Sequence, residues 1–224
     1  MDTSDGEEKF GGDAKVGKSL IHKWERGFID WMVPRLPSWL RSYHLTLMTI
    51  PISGFIVVFS FMALFNVAWL WVVSLLIATQ WLTDSLDGSL GRYRKEGLVR
   101  WGYYMDHLLD YFFFAAVMIG YTLLLPDRFL YVQFFVFVVL TAFMVNSFLS
   151  FAASNAFRIS YWGVGPTEIR IVFILLNTLL ILFGRTFMAG LLPYFLILAF
   201  IGLCVVVYRT QREVWDMDQV AKGG

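Results

Sequence analysis

The stretch that decides this chain reads Asp84-Ser85-Leu86-Asp87-Gly88-Ser89-Leu90-Gly91-Arg92, then nine residues to Gly102, three to Asp106 and three to Asp110. Apolar runs of spanning length flank it on both sides. Carboxylates beside hydrocarbon are costly unless something positive neutralises them, so they mark function first. Asp84 and Asp87 stand three apart and Asp106 and Asp110 four apart, spacings that put each pair on one helix face. Two such faces turned together make one cluster of four carboxylates. Hard oxygen donors suit Mg²⁺ or Mn²⁺, whereas zinc would call for His and Cys. Two such ions about 3.5–4 Å apart can clamp a bridging phosphate and stabilise attacking and leaving oxygens. Gly88 and Gly91 remove side chains where a nucleotide must pass close to the helix. Arg92 offers a guanidinium fork to phosphate, and Gly102 allows neighbouring helices to approach.

Working outward, 58% of the 224 residues are hydrophobic and 16% charged, too apolar for a soluble domain. Six stretches could span: 45–65, 67–83, 103–125, 129–151, 166–183 and 191–208. Each is near the ~20 residues a helix needs to cross ~30 Å of hydrocarbon. The runs are continuously apolar, not alternating, which excludes transmembrane strands. The reading is an all-α, six-helix integral membrane protein.

Basic residues cluster in the N-terminal arm, in Arg92–Arg100, at Arg158 and Arg170, and in the tail, leaving only Arg128 and Arg185 opposite. With both termini inside, 16 of 18 fall on one side. The positive-inside rule then puts both termini and the aspartates in the cytoplasm, at the cell membrane or, in a eukaryote, the endoplasmic reticulum. The net charge of +1 adds nothing. Cys204 is the only cysteine, so no intrachain disulfide is expected. No signal peptide is visible, and nucleic acid is not an expected partner.

Residues 1–17 are polar and Gly-rich and read as disordered. Residues 18–38 read as an amphipathic juxtamembrane helix on the membrane surface, with Leu20, Ile21, Trp24, Phe28, Trp31 and Met32 as its apolar stripe. Pro34 and Pro37 end it. Residues 39–210 form the six-helix domain and 211–224 a cytoplasmic tail. Function is expected in the longer inner connections, 84–102 and 152–165.

Seven positions of the central stretch (Asp84, Asp87, Gly88, Arg92, Gly102, Asp106, Asp110) match a signature, and on them the chain resembles the CDP-alcohol phosphatidyltransferase family. Gly91 departs from the family's usual alanine, a change between small residues. Tyr43-His44-Leu45-Thr46 stands where the family has an Asn-containing approach to its first helix. The resemblance implies that Asp84, Asp87 and Asp106 hold metals, and that Asp110 touches the second metal and acts as general base toward an acceptor hydroxyl. That oxygen would attack the β-phosphorus of a CDP-linked donor, releasing CMP. It also implies a homodimer. The favoured partners are CDP-diacylglycerol, because the chain is short, and a small alcohol or alcohol phosphate. The reverse, a soluble CDP-alcohol donating to diacylglycerol, is the alternative. A divalent-cation transporter is the alternative of another class.

Arg158, Glu168 and Arg170 are expected to line the acceptor pocket, the arginines serving an acceptor phosphate. Glu168 and Arg170 also fit a helix cap and a snorkelling cation. His44 and His107 lack a second imidazole at ligand spacing. Asn146 and Asn177 read as interhelical hydrogen-bonders, and the run from Tyr111 to Phe114 is expected to face lipid or a dimer partner.

Overall fold

The computed structural model describes residues 15–16, 22–154, 157–158 and 165–223. Among them, six helices are long and apolar enough to cross a membrane: Ser42–Met62, Val67–Arg94, Val99–Leu124, Asp127–Ser154, Pro166–Phe183 and Ala189–Val220. They correspond one to one with the six apolar stretches. Within the first span, α2 (Ser42–Leu47) gives way to α3 (Thr49–Met62) at Met48. Pro51 explains the break, since its ring clashes with the carbonyl four residues back. The remaining spans are α4 (Leu70–Arg94), α5 (Val99–Leu124), α6 (Leu130–Ser154), α7 (Pro166–Phe183) and α8 (Arg185–Gly223), preceded in sequence by the short α1 (His22–Met32). Lys15–Val16 and Phe157–Arg158 form a two-residue parallel pairing, β1 and β2.

Helices outrun their apolar stretches at two places where the sequence suggested otherwise. Residues 84–94, expected in a connection, complete α4, and the link to α5 shrinks to 95–98. Leaving the bilayer does not end a helix; a stop signal does. Here it is Lys95 in the left-handed region, with its N–H on the Arg92 carbonyl and the Glu96 N–H on Gly91. That is the Schellman arrangement, built without glycine at the left-handed position. Likewise α8 continues to Gly223, so the described part of the expected tail is helical.

The main core joins α3, α4, α5 and α7 around Ile56, Leu70, Ile77, Phe113, Val117 and Phe173. A second cluster sits at the carboxylate end, where Ile29 and Val33 meet Leu45, Leu86 and Leu90, with Phe28 and Met32 packed beside them. The apolar face of α1 therefore covers protein. Trp31, expected on that face, is 55% exposed, and Ile29 takes its place at 4%. The expectation of a helix laid on lipid gains no support from this packing. Residues 18–21 of that expectation lie outside the described residues.

A polar seam fixes the antiparallel register of α4 and α7. Asn177 donates to the Ser74 hydroxyl at 3.1 Å, and Arg170 Nε donates to Gln80 Oε1 at 2.6 Å. Asn177 and Gln80 are fully buried. Sliding one helix would strand both groups among apolar neighbours. Asn146 plays the expected interhelical part between α6 and α8, donating to Thr210 at 3.2 Å.

Candidate active site

The register of α4 against α5 brings Asp84, Asp106 and Asp110 together: each offers an oxygen within 4.8 Å of the others. Asp87 is not part of this triad. Its Oδ2 accepts the Thr46 hydroxyl at 2.6 Å, and its other oxygen takes the Gly88 N–H. Thr46, 5% exposed on α2, thus fixes the fourth carboxylate from a helix the sequence did not connect to it.

Arg170 is the largest surprise. Placed by sequence in an acceptor pocket, its guanidinium lies inside the acidic site at 4% exposure. Nη2 donates to Asp84 Oδ2 at 3.1 Å and to Asp110 Oδ1 at 2.9 Å, while Nε is held by Gln80. The Gln80 amide reaches the same Asp110 oxygen at 3.4 Å, and the Phe113 ring lies 5.5 Å beneath the guanidinium. A guanidinium tolerates such burial because its fork satisfies several acceptors at once. Gln80 and Thr46 were missed. A glutamine inside an apolar run was the available signal, because buried polar groups need partners.

The other expected residues divide. Arg92 is exposed; its Nη2 donates to Ser89 at 3.3 Å, and its guanidinium would meet a Cβ added at Gly88 at 3.4 Å. Gly91 faces Ser42 of α2, which a Cβ would approach to 3.4 Å, an ordinary contact that alanine could make. At Gly102 nothing described lies within 4 Å of an added Cβ, so the expected close helix approach is absent there. Glu168 turns back to accept the Gly165 N–H at 2.9 Å, capping α7. Arg158 sits in β2, its side chain outside the described set.

His44 accepts the Arg41 N–H at 3.1 Å as a cap of α2. His107 stands 3.5 Å from Asp106 and packs on Tyr103, and neither imidazole joins the triad. Of the aromatic run, Tyr111 and Phe112 are exposed, but Phe113 is buried and Phe114 stacks on Phe137 at 5.9 Å. Four consecutive helical residues cover some 300° of the circumference, so they cannot share one face.

Three carboxylates with mutually close oxygens fit a hard divalent cation, and no other donor type is needed. Six helices long and apolar enough to span, two of them carrying such a cluster of carboxylates, define a multi-pass membrane protein with a candidate cation site. More specifically, the chain belongs to the CDP-alcohol phosphatidyltransferase family, whose model matches residues 43–208. It is therefore a transferase of phosphate-containing groups, of a family that moves a phosphoalcohol from a CDP-alcohol. Comparison with curated proteins gives no match.

Proposed function

We propose that the protein joins a small alcohol, or an alcohol phosphate, to the phosphatidyl group of CDP-diacylglycerol. The observation that carries this reading is the convergence of Asp84, Asp106 and Asp110 from the facing sides of α4 and α5. A donor with lipid tails can stay in the bilayer there while its pyrophosphate reaches the carboxylates. Asp84, Asp87, Asp106 and Asp110 would hold two divalent cations, Mg²⁺ or Mn²⁺, which when bound neutralise phosphate charge. Asp110 accepts the proton of the acceptor hydroxyl. The new O–P bond forms at the β-phosphorus as its bond to the bridging oxygen breaks, and CMP leaves with that electron pair. Positioning and charge neutralisation supply much of the rate, as phosphoryl transfer generally requires.

Arg92 contacts the CDP phosphates in this reading, with Gly88, Gly91 and Gly102 keeping the path clear. Arg170, joined by Arg158 and backed by the Glu168 cap, meets an acceptor phosphate. The enzyme works as a homodimer with its termini and site in the cytoplasm. Residues 18–38 form a juxtamembrane segment before the membrane domain.

The test is CMP release by purified protein supplied with CDP-diacylglycerol, Mg²⁺ or Mn²⁺ and a panel of alcohols and alcohol phosphates. Asp110→Asn is expected to abolish release and leave the protein folded. Release only from a soluble CDP-alcohol with diacylglycerol would reverse the donor. Cation flux into liposomes without CMP would replace the enzyme by a transporter.

A further inference from the structure

Glu25 lies on the face of α1 that also carries Phe28, Ile29 and Met32, the residues that dock this helix on the bundle. Its carboxylate receives donors from two other helices. From α4, the Trp81 indole N–H donates at 3.0 Å and the Ser85 hydroxyl at 2.9 Å. From the first turn of α7, the Thr167 hydroxyl lies 3.2 Å from one carboxylate oxygen and 3.3 Å from the other. Both tethered helices carry the acidic site immediately beyond these contacts. Ser85 is the chain neighbour of Asp84, and Thr167 precedes Arg170 by three residues, close to one helical turn.

Three hydroxyl and indole donors ask for a group that only accepts, and an ionised carboxylate is that group. Bonds to a charged acceptor are also stronger than neutral ones. On α4 the Glu25 partners Trp81 and Ser85 are the chain neighbours of Gln80 and Asp84, and on α7 Thr167 stands one turn before Arg170, so the Glu25 clamp and the Arg170 contacts adjoin on the same α4–α7 seam. We propose that Glu25 is a positioning residue: it fixes the first turn of α7 against α4 and so seats Arg170 between Asp84 and Asp110. The kinetic consequence rests on the proposed transfer reaction, whereas the seat of Arg170 can be measured without it.

Phenylglyoxal labels accessible guanidinium groups, and the Arg170 side chain is only 5% exposed. In full-length protein in detergent, labelling of Arg170 is followed by peptide mass spectrometry. Glu25→Ala and Thr167→Val are each expected to speed labelling on the order of tenfold, the effect of one lost charge-assisted hydrogen bond. The double variant should go no further than Glu25→Ala, because both changes remove the same contact. Ile29→Val trims the packing of α1 but leaves the carboxylate in place; it should lower the unfolding midpoint and leave labelling at the wild-type rate. Unchanged labelling in Glu25→Ala and Thr167→Val overturns the inference. So does equal acceleration by Ile29→Val, which would reduce Glu25 to an anchor of α1. Should Glu25→Ala fail to fold, Thr167→Val decides alone, since it deletes one hydroxyl at constant volume. CMP release measured in parallel should show kcat falling with the donor KM held. Accelerated labelling in a protein that never releases CMP would remove the proposed reaction and leave the seat of Arg170 standing.

Discussion

Arg170 shows how one side chain couples stability to the site. Its guanidinium holds Asp84 and Asp110 at 3.1 and 2.9 Å, with side-chain exposures of 5%, 20% and 26% in that order. Removing one partner of such a buried group leaves uncompensated charge, at a cost of about 3–5 kcal/mol. Arg170→Leu should therefore unfold at markedly lower denaturant than the wild type. Saturating Mn²⁺ should recover part of the loss in the variant, because a cation can take up the same oxygens and ligand binding stabilises by mass action. Denaturant unfolding of the purified variant with and without Mn²⁺ checks both statements, and a variant indifferent to Mn²⁺ would count against a cation at this triad. The aspartates themselves were legible in sequence because their spacing is local. Arg170 was legible as a cation near the site but not as its partner, since 86 and 60 residues separate it from Asp84 and Asp110. Glu25 carried a readable sign: it shares a helix face with apolar Phe28 and Ile29, where a carboxylate needs donors.

Between elements, small residues set how closely helices pack, and two glycines make opposite cases. At Gly120 on α5, an added Cβ would lie 2.4 Å from Ser60 Oγ and 2.9 Å from Ser60 Cβ on α3. Rotating the serine relieves the first contact but not the second, so α3 and α5 must part. Gly120→Ala is expected to destabilise by about 1–3 kcal/mol despite the better helix propensity of alanine, and Ser60→Gly in the same chain should restore the loss. Gly91→Ala meets Ser42 only at 3.4 Å and should stay within about 0.5 kcal/mol of wild type. Thermal unfolding of Gly120→Ala, Gly91→Ala and the Gly120→Ala/Ser60→Gly pair ranks these effects directly. Spans were readable because hydropathy integrates over some 20 residues. Helix ends were not: the stop of α4 depends on left-handed Lys95, a conformation lysine rarely adopts. Nor could composition show that α1 packs on Leu86 and Leu90, because an apolar stripe looks the same facing protein or lipid.

At the scale of the whole molecule, the arrangement of charge makes a prediction that the helix packing does not. Six spans place the 95–98 connection and the Asp127–Phe129 turn at opposite ends of α5. Lys and Arg crowd the first end and thin out at the second, leaving Arg128 and Arg185 there. The Arg185 guanidinium is itself engaged, donating to the Ala63 and Leu64 carbonyls at 2.6 and 3.1 Å. The positive-inside rule predicts that the crowded end, with the acidic site, faces the cytoplasm. The chain suits a direct measurement, because Cys204 is its only cysteine and is exposed on α8, so Cys204→Ser gives a cysteine-free background with little packing to lose. In that background, Arg128→Cys should react with a membrane-impermeant maleimide in intact cells, whereas Leu98→Cys should react only after permeabilisation. The opposite pattern would put the carboxylates outside, away from a cytoplasmic supply of CDP-linked donor, and would remove the proposed reaction even with its side-chain geometry intact.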